Sequence, residues 1–331
     1  MNNYVRIRDI AIYHPDKLVE NDVYLEHFKK QGKDVRKIFE QVYIRDKRYE
    51  IDRDAEKQEN TMTMLIEAAK RVLEKTSLKG ADMDMIVVAT QIPEYVVPAC
   101  AVMLHRAIEG KRHCFCYDVN ANCASMLLAL ENTYRYFESN PNVQKIMIVG
   151  GEYVTRVQDP KNEMGYGAFG DGSCAIILER CEEEAGLLDS DFFINDTFYD
   201  VMVFPRCGMS HIYESEEEDI VSAMGGVDCD LSEVAERLEN ILARHHLTKE
   251  DISMFCFSQF VGKNVNILRQ KLNITEEKSI YIGTEFGYTG STSPFFVLNR
   301  ALEQKKIKRG DYVMYWTVGA GMQHFMMLTK Y

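Results

Sequence analysis

The fold is indicated by two stretches that share one pattern, LIEAAKRVLEKTSLKGADMDMIVVA at residues 65–89 and VAERLENILARHHLTKEDISMFCFS at residues 234–258. In each, apolar residues at helical spacing lead into a turn and then into a short apolar run typical of a buried strand. The two stretches correspond at an offset of 169. The correspondence continues at an offset of 168, where Cys123 meets Ser291, and of 167, where Ile146 meets Val313. A repeat of this kind predicts two homologous α/β halves, residues 1–180 and 181–331.

The composition is that of an ordinary globular protein large enough for two such halves, with 331 residues, 46% hydrophobic and 27% charged. The formal net charge of −12 disfavours nucleic acid and anionic membrane surfaces as partners. No apolar run reaches the ~18 residues of a membrane span, and Met1–Arg8 lacks the layout of a secretory signal. We therefore expect a cytoplasmic protein.

Nine cysteines, an odd number without any C-x-x-C pair, argue against both a disulfide framework and a thiolate metal site. The adjacent His245 and His246 point away from each other on a predicted helix, so no metal is predicted there either. Gly165–Gly170 has the G-x-G-x-x-G spacing of dinucleotide sites. The apolar run Ser173–Leu178 that follows predicts a strand, whereas a dinucleotide site needs a helix, so no cofactor is predicted.

Cys123 occupies the position that best suits a nucleophile. Phe115–Val119 reads as a strand and Ala124–Phe137 as an amphipathic helix, which places Cys123 at the corner between them. A thiol there meets the free N–H groups and the positive end of the helix dipole, and both favour the thiolate. For an arbitrary cysteine, the alternative is a small buried apolar side chain.

Six segments in order resemble the β-ketoacyl-acyl carrier protein synthase III group of the thiolase superfamily. They are Tyr43–Arg48, Asp118–Ala124, Ile148–Glu152, Phe169–Gly172, Phe286–Ser291 and Val318–Gly321. The resemblance spans nearly the whole chain. It implies the thiolase fold, with two duplicated halves in a five-layered α-β-α-β-α arrangement, usually as a homodimer. It also implies that Cys123 carries the acyl group.

The resemblance also shows what has changed. Condensing members of the group use Cys, His and Asn, and here Ser258 takes the histidine position and Tyr288 the asparagine position. No histidine lies between His246 and His324. Losing two oxyanion donors could cost about 10⁴ or more in rate, although Ser258 and Tyr288 still carry hydroxyl donors. Acylation of Cys123 needs only a thiolate and the backbone N–H groups of Cys123, Gly319 and Gly321, which are retained.

The positions that hold substrates in the family have also changed. The family's coenzyme A clamp, a tryptophan and an arginine, corresponds to Lys37 and Gln41, so adenine stacking is lost and a carrier-protein thioester is favoured over acyl-CoA as donor. The only tryptophan, Trp316, is predicted to lie in the core. Carrier-protein docking in the family implies a role for three basic residues of a predicted helix, Lys263, Arg269 and Lys271, against the alternative of a solvated face.

Three functions remain open at this point. The leading hypothesis is an acyltransferase of fatty acid, polyketide or related specialised metabolism, in which Cys123 accepts an acyl group from a thioester. The second is decarboxylative condensation with altered oxyanion donors, for which His324 is a candidate substitute base. The third is a non-catalytic partner of an active synthase in a heterodimer, which would explain the missing residues. Retention of Cys123 argues against the third.

Overall fold

The computed structural model describes residues 4–225 and 230–331. The strands in these ranges are β1 Tyr4–Tyr13, β2 Lys17–Glu20, β3 Lys47–Glu50, β4 Met85–Ala89, β5 Phe115–Val119, β6 Lys145–Glu152, β7 Gly172–Cys181, β8 Gly186–Ile194, β9 Met202–Val203, β10 Ala223–Met224, β11 Ile252–Phe257, β12 Tyr312–Gly319 and β13 Gln323–Lys330. The helices are α1 Asn21–Lys30, α2 Thr61–Thr76, α3 Cys100–Ala107, α4 Ser125–Ser139, α5 Glu217–Ile220, α6 Ser232–Arg244, α7 Gly262–Leu272, α8 Gly283–Phe286 and α9 Ser293–Glu303. None of them is long and apolar enough to cross a bilayer.

The first sheet has the strand order β1-β7-β6-β4-β5, with β4 parallel to both of its neighbours. Every residue of β4 is buried, as a strand covered on both faces requires. Alternate residues of β4 point to opposite faces of the sheet. Val87 packs in the cluster that includes α4 and α9, whereas Ile86 and Val88 pack in the cluster that includes α2 and α3. The sheet therefore lies between two helical layers.

The second sheet has the order β11-β12-β13-β8 and is built in the same way. Its outer face packs on α6 and α7, and its inner face shares the cluster of α4 and α9 with the first sheet. Helices α4 and α9 thus form a central layer between the sheets. The resulting order of layers is α-β-α-β-α, which confirms the predicted fold class.

The repeat seen in the sequence has a structural counterpart. Helix α2 and strand β4 in the first sheet correspond to α6 and β11 in the second, at the offset of 169 that relates Met85 to Met254. The first sheet draws its strands from residues 4–181 and the second from 186–330. The division into homologous halves at residue 180 stays a prediction.

Candidate active site

Cys123 lies in the turn between β5 of the first sheet, which ends at Val119, and α4 of the central helical layer, which begins at Ser125. The turn is fixed by the Ser125 hydroxyl, which accepts from the N–H of Ala121 at 2.8 Å and donates to the carbonyl of Asn122 at 2.6 Å. Asn122 has φ of 53°, a left-handed conformation that asparagine tolerates better than most residues. The predicted strand-to-helix corner is confirmed.

A cavity of about 190 Å³ reaches the cysteine. Its walls are mostly apolar, with aromatic and methionine side chains and a glycine-rich turn. They include Tyr43, Met164, Phe169, Phe198, Met202, Met224, Phe260, Tyr288, Gly319 and Gly321. Only 5% of the Cys123 surface is exposed, so the side chain sits at the inner end of a protected apolar chamber. A bound acyl group would be shielded from water there.

Tyr288, predicted to take the family's Asn position, lines the cavity with Cys123, and Ser258, predicted to take the His position, lies next to Tyr288. Both are buried, and their hydroxyl oxygens complete no hydrogen bond with any residue that the structure describes. Burial raises the pKa of Tyr288 well above its ordinary value, and Cys123 beside it adds to the rise, with Ser258 opposing it. Buried hydroxyls usually have partners, so this pair has donor capacity available to a bound substrate.

The glycine turn after β12 is tied to the cysteine corner by several hydrogen bonds. The Thr317 hydroxyl donates to the carbonyl of Cys123 at 3.0 Å, and the Asn122 side chain donates to the carbonyl of Ala320 at 3.1 Å. A side chain at position 319 would collide with the carbonyl oxygen of Ala121, 2.8 Å from an added Cβ. Glycine is therefore required for this close approach, which brings the Gly319 to Gly321 backbone to the cavity wall.

The expected thiolate-favouring environment is not found, and this prediction was wrong. Burial raises the pKa of Cys123 to about 12, and the nearby Glu152 carboxylate adds to the rise. The Tyr288 hydroxyl and the Gln91 amide, both near the sulfur, oppose the shift but do not cancel it. A helix N-terminus is a partial charge, and here the desolvation of an anion and a like charge outweigh it. The resting cysteine is a thiol at neutral pH.

Sequence reasoning missed the polar group next to the sulfur. The Gln91 side-chain amide lies 3.7 Å from Cys123 Sγ and donates to Glu152 Oε2 at 2.6 Å. Ser291 Oγ donates to the other carboxylate oxygen at 3.1 Å. Glu152 ends a segment that the sequence singled out, but Gln91 lies in no motif. Its role depends on a contact between residues 32 apart in the chain, which no local pattern records.

The segment Tyr43–Arg48 supports the cavity wall. The Arg45 guanidinium donates to the carbonyl of Phe260 at 2.5 Å, and the Arg48 guanidinium donates to the carbonyl of Gly167 at 2.5 Å. Both arginines are buried, with 1% and 0% exposure. The two arginines fix the cavity-wall loops that contain Phe260 and Gly167, so the segment Tyr43–Arg48 has a structural role.

The three basic residues of the predicted docking helix separate in the structure. Helix α7 forms as predicted, and Lys263 is exposed at the cavity, while Lys271 is exposed and donates to Ser232 Oγ. Arg269 is 8% exposed and donates to the carbonyl of Ser279 at 3.0 Å. Its guanidinium fastens the next loop to the helix, so the structure removes Arg269 from the docking set.

Other residues considered from the sequence lie away from the reacting sulfur. Lys37 and Gln41 are exposed and offer no aromatic platform for adenine. Trp316 is 1% exposed within the core, as predicted. His324 stacks on Phe193 with ring centroids 4.4 Å apart, and burial lowers its pKa to about 4. It does not line the cavity, which argues against its role as a substitute base.

Comparison with known proteins agrees with this geometry. Residues 117–195 match the family described as 3-oxoacyl-[acyl-carrier-protein (ACP)] synthase III, and residues 242–331 match its C-terminal counterpart. A β-ketoacyl-[acyl-carrier-protein] synthase III of Coxiella burnetii (strain CbuK_Q154) is 28% identical over 332 residues, covering 99% of both chains.

Two solved structures share the fold. The 3-oxoacyl-[acyl-carrier-protein] synthase III of Aquifex aeolicus VF5 superposes with a TM-score of 0.85 at 21% identity, covering 99% of this chain and 100% of the other. The priming β-ketosynthase of the R1128 polyketide pathway gives 0.85 at 19% identity, covering 99% and 96%. The fold and the cysteine corner define a thiolase-fold protein. Within that class, the chain belongs to the 3-oxoacyl-[acyl-carrier-protein] synthase III family.

Proposed function

We propose that this protein is an acyltransferase that takes an acyl group from a thioester onto Cys123 and passes it to a second substrate in fatty acid, polyketide or related specialised metabolism. The observation that carries the proposal is the position of Cys123 at the inner end of an apolar cavity that Tyr288, with a buried hydroxyl, also lines. Membership of the synthase III family supports the same chemistry.

In the first step, Cys123 Sγ attacks the thioester carbonyl. The carbonyl oxygen becomes an oxyanion, which the N–H groups of Cys123, Gly319 and Gly321 stabilise. The donor's carbon–sulfur bond breaks, its thiol leaves with a proton, and the acyl group remains on Sγ. In the second step, the nucleophile of the acceptor bonds to the acyl carbon, the bond from that carbon to Sγ breaks, and the proton lost by the acceptor restores the Cys123 thiol. Ser258 and Tyr288 orient the acceptor through their hydroxyls.

The cavity favours an apolar acyl group larger than acetyl. Phe169, Phe260 and Tyr288 form an aromatic cluster with ring centroids 5.0–6.2 Å apart, and methionines add flexible, polarisable surface. The cationic side chain in the lining is Lys263. An apolar chain would be desolvated favourably here, at roughly 0.8 kcal/mol for each buried CH₂.

The proposal is tested by intact-mass measurement after incubation with acyl-carrier-protein and acyl-CoA donors of increasing chain length. We expect a mass increase of one acyl group, mapped to the peptide containing Cys123. Carrier-protein donors are expected to react faster than coenzyme A donors, because no aromatic side chain replaces the adenine clamp at Lys37 and Gln41. Absence of an adduct with every donor would contradict the proposal.

A heterodimer in which this chain is inactive is less well supported. An inactive subunit has no need for a substrate cavity that reaches a buried cysteine, and such a cavity is present. Co-purification with a second synthase chain that carries Cys, His and Asn, together with no acylation of Cys123, would favour that alternative.

Lys263 is expected to contribute to carrier-protein docking. It is exposed at the cavity in a chain of net charge −12, so it offers a local positive site to an acidic partner. Changing Lys263 to Glu should raise the KM for a carrier-protein donor about fivefold at low salt, with little change for a coenzyme A donor. The control is Lys308→Glu, an exposed lysine that does not line the cavity. Equal effects of the two substitutions would rule out local docking.

We further propose a homodimer formed through the free edge of the first sheet. Strand β5 pairs with β4 and lies at the end of the strand order. Phe115 on this strand is 60% exposed, and the loop between β4 and α3 exposes Val96 and Val97 at 74% and 84%. An unpaired strand with exposed apolar neighbours is a favourable surface for pairing with a second copy.

The oligomeric state tests this surface. Wild-type protein is expected to be dimeric by size-exclusion chromatography with light scattering, and Phe115→Arg to be monomeric, because it places a charge in the apolar contact. Val23 on α1 is 59% exposed away from this edge, so Val23→Arg serves as the control and should leave the dimer intact. A monomeric wild-type protein would contradict the proposal.

A further inference from the structure

A buried carboxylate is joined to the reacting sulfur through one amide. Gln91 contacts both groups: Cys123 Sγ at 3.7 Å and Glu152 Oε2 at 2.6 Å. Its backbone N–H lies 3.4 Å from Glu152 Oε1, which also accepts from Ser291 Oγ at 3.1 Å. Gln91 follows β4 and Glu152 ends β6, and these two strands are neighbours in the first sheet. The rigid sheet therefore sets the positions of both side chains.

The structure makes room for this carboxylate. Gly290 has φ of 62°, and a Cβ at that position would lie 2.2 Å from Glu152 Oε2. Glycine therefore meets two requirements at once, a left-handed backbone and space for the carboxylate. Glu152 itself is 1% exposed. Its hydrogen-bond donors, Gln91 and Ser291, are neutral.

A buried carboxylate without a cationic partner exchanges its proton readily near neutral pH. Burial raises the pKa of Glu152 to about 7, with the hydrogen bonds from Gln91 and Ser291 opposing the rise. The titratable groups that face it are Cys123 and Tyr288. Asp171, another buried carboxyl, is held separately by Thr155 and the N–H of Ile51. Gln91 and the Gly290–Thr292 turn bring no charge.

We propose that Glu152, acting through Gln91, is the positioning residue that controls ionisation of Cys123, with the two groups sharing one proton in the reactive state. The inference rests on the proposed function in taking Cys123 as the nucleophile. It supplies what the chain lacks, a group that titrates near neutral pH beside the sulfur in place of the family's histidine.

A pair with one proton exists in two forms. In one, Cys123 is a thiol and Glu152 a carboxylate; in the other, Cys123 is a thiolate and Glu152 a carboxylic acid. The thiolate form attacks the thioester carbon, forming the new carbon–sulfur bond as the donor's carbon–sulfur bond breaks. The leaving thiolate recovers the proton from Glu152, so the carboxylate is regenerated. The total charge of the pair and the donor stays at −1 throughout: Sγ carries it first, then the oxyanion and the leaving thiolate, and finally the Glu152 carboxylate.

The sign of the pH dependence follows from this sharing. Below about pH 7 both groups are protonated, and thiolate is scarce. Just above it the pair holds one proton and the fraction present as thiolate is constant, so reactivity reaches a plateau. At higher pH the second proton leaves Cys123 against the charge of Glu152, and reactivity rises again. Without the carboxyl, Cys123 titrates alone and its reactivity rises about tenfold per pH unit with no plateau.

Alkylation by iodoacetamide tests this without any acyl donor. The rate at Cys123 is followed by mass spectrometry from pH 5.5 to 9.5 in wild type, Glu152→Gln and Ser291→Ala. In wild type we expect a plateau that begins near pH 7 and is followed by a second rise, and in Glu152→Gln a single continuous rise. Ser291→Ala should keep the plateau but move its onset to higher pH, because the carboxylate loses a donor.

Two results would overturn the inference: a wild-type rate that rises without a plateau, or a plateau that survives in Glu152→Gln. A merely structural role for Glu152 would change the rates without moving the inflection. Failure of the proposed function gives a different pattern, in which the plateau is present but no donor acylates Cys123. The half-buried Cys207 serves as an internal reference for general thiol reactivity.

Discussion

Replacing Cys123 by alanine is expected to abolish acyl transfer, lowering the rate by at least about 10⁴-fold, the scale seen when a nucleophile is removed from an enzyme. The substitution removes the sulfur at the inner end of the cavity and leaves no other nucleophile at that position. Intact-mass measurement should then show no acyl adduct with any donor that modifies the wild-type protein.

The effect should be specific to this cysteine. Cys207 is more exposed than Cys123 and does not line the cavity, so Cys207→Ala should acylate at the wild-type rate. A small buried residue such as alanine fits the Cys123 site with little loss of packing, so circular dichroism and melting temperature should stay close to wild type. An adduct that persists in Cys123→Ala would move the acyl group to another residue and overturn the mechanism.

Changing Tyr288 to Phe is expected to slow transfer from the acyl-enzyme to the second substrate by about 10²–10³, the usual cost of losing one oxyanion donor. The ring stays between Phe169 and Phe260, at 5.5 and 5.0 Å, so the substitution removes only the hydroxyl. That hydroxyl has no hydrogen-bond partner among the described residues, so its loss should not destabilise the fold. The first acylation should change far less.

The two steps can be separated by measuring the burst of Cys123 acylation and the steady-state turnover in the same experiment. Tyr315→Phe is the matched control, because Tyr315 is also fully buried but lies in the central core away from the cavity. Unchanged turnover in Tyr288→Phe would exclude the hydroxyl from catalysis. Carbon dioxide release from malonyl-carrier protein that is lost in Tyr288→Phe would instead support the condensation alternative.

Most of the fold could be predicted from the sequence because its signals are local. The apolar spacing at the start of the stretch 65–89 predicts a helix, which the structure places at Thr61–Thr76, and Phe115–Val119 is a strand with the bounds expected. The offset of 169 between Met85 and Met254 pointed to a duplicated architecture. These patterns can be read from the sequence because the buried face of a helix or strand must be apolar, so apolar residues recur at the period of that helix or strand.

The site was predicted less completely. The corner at Cys123 followed from the strand and helix on either side of it, but its ionisation did not, because the pKa depends on burial and on Glu152 across the sheet. Arg269 has the charge expected of a docking residue, yet it donates to the carbonyl of Ser279 beneath the surface. Charge can be read from sequence, whereas exposure depends on how neighbouring segments pack.

The sequence by itself determined the α/β architecture and the position of Cys123 at the corner after β5, and it predicted that Ser258 and Tyr288 replace the family's His and Asn. The tertiary structure alone decided that the thiol is protonated at rest and that an apolar chamber reaches it. It also decided that Gln91 connects the thiol to a buried carboxylate. The physical reason is range: periodicity and turn chemistry act over a few residues, while desolvation and hydrogen bonding depend on contacts such as Ser291 to Glu152, 139 residues apart.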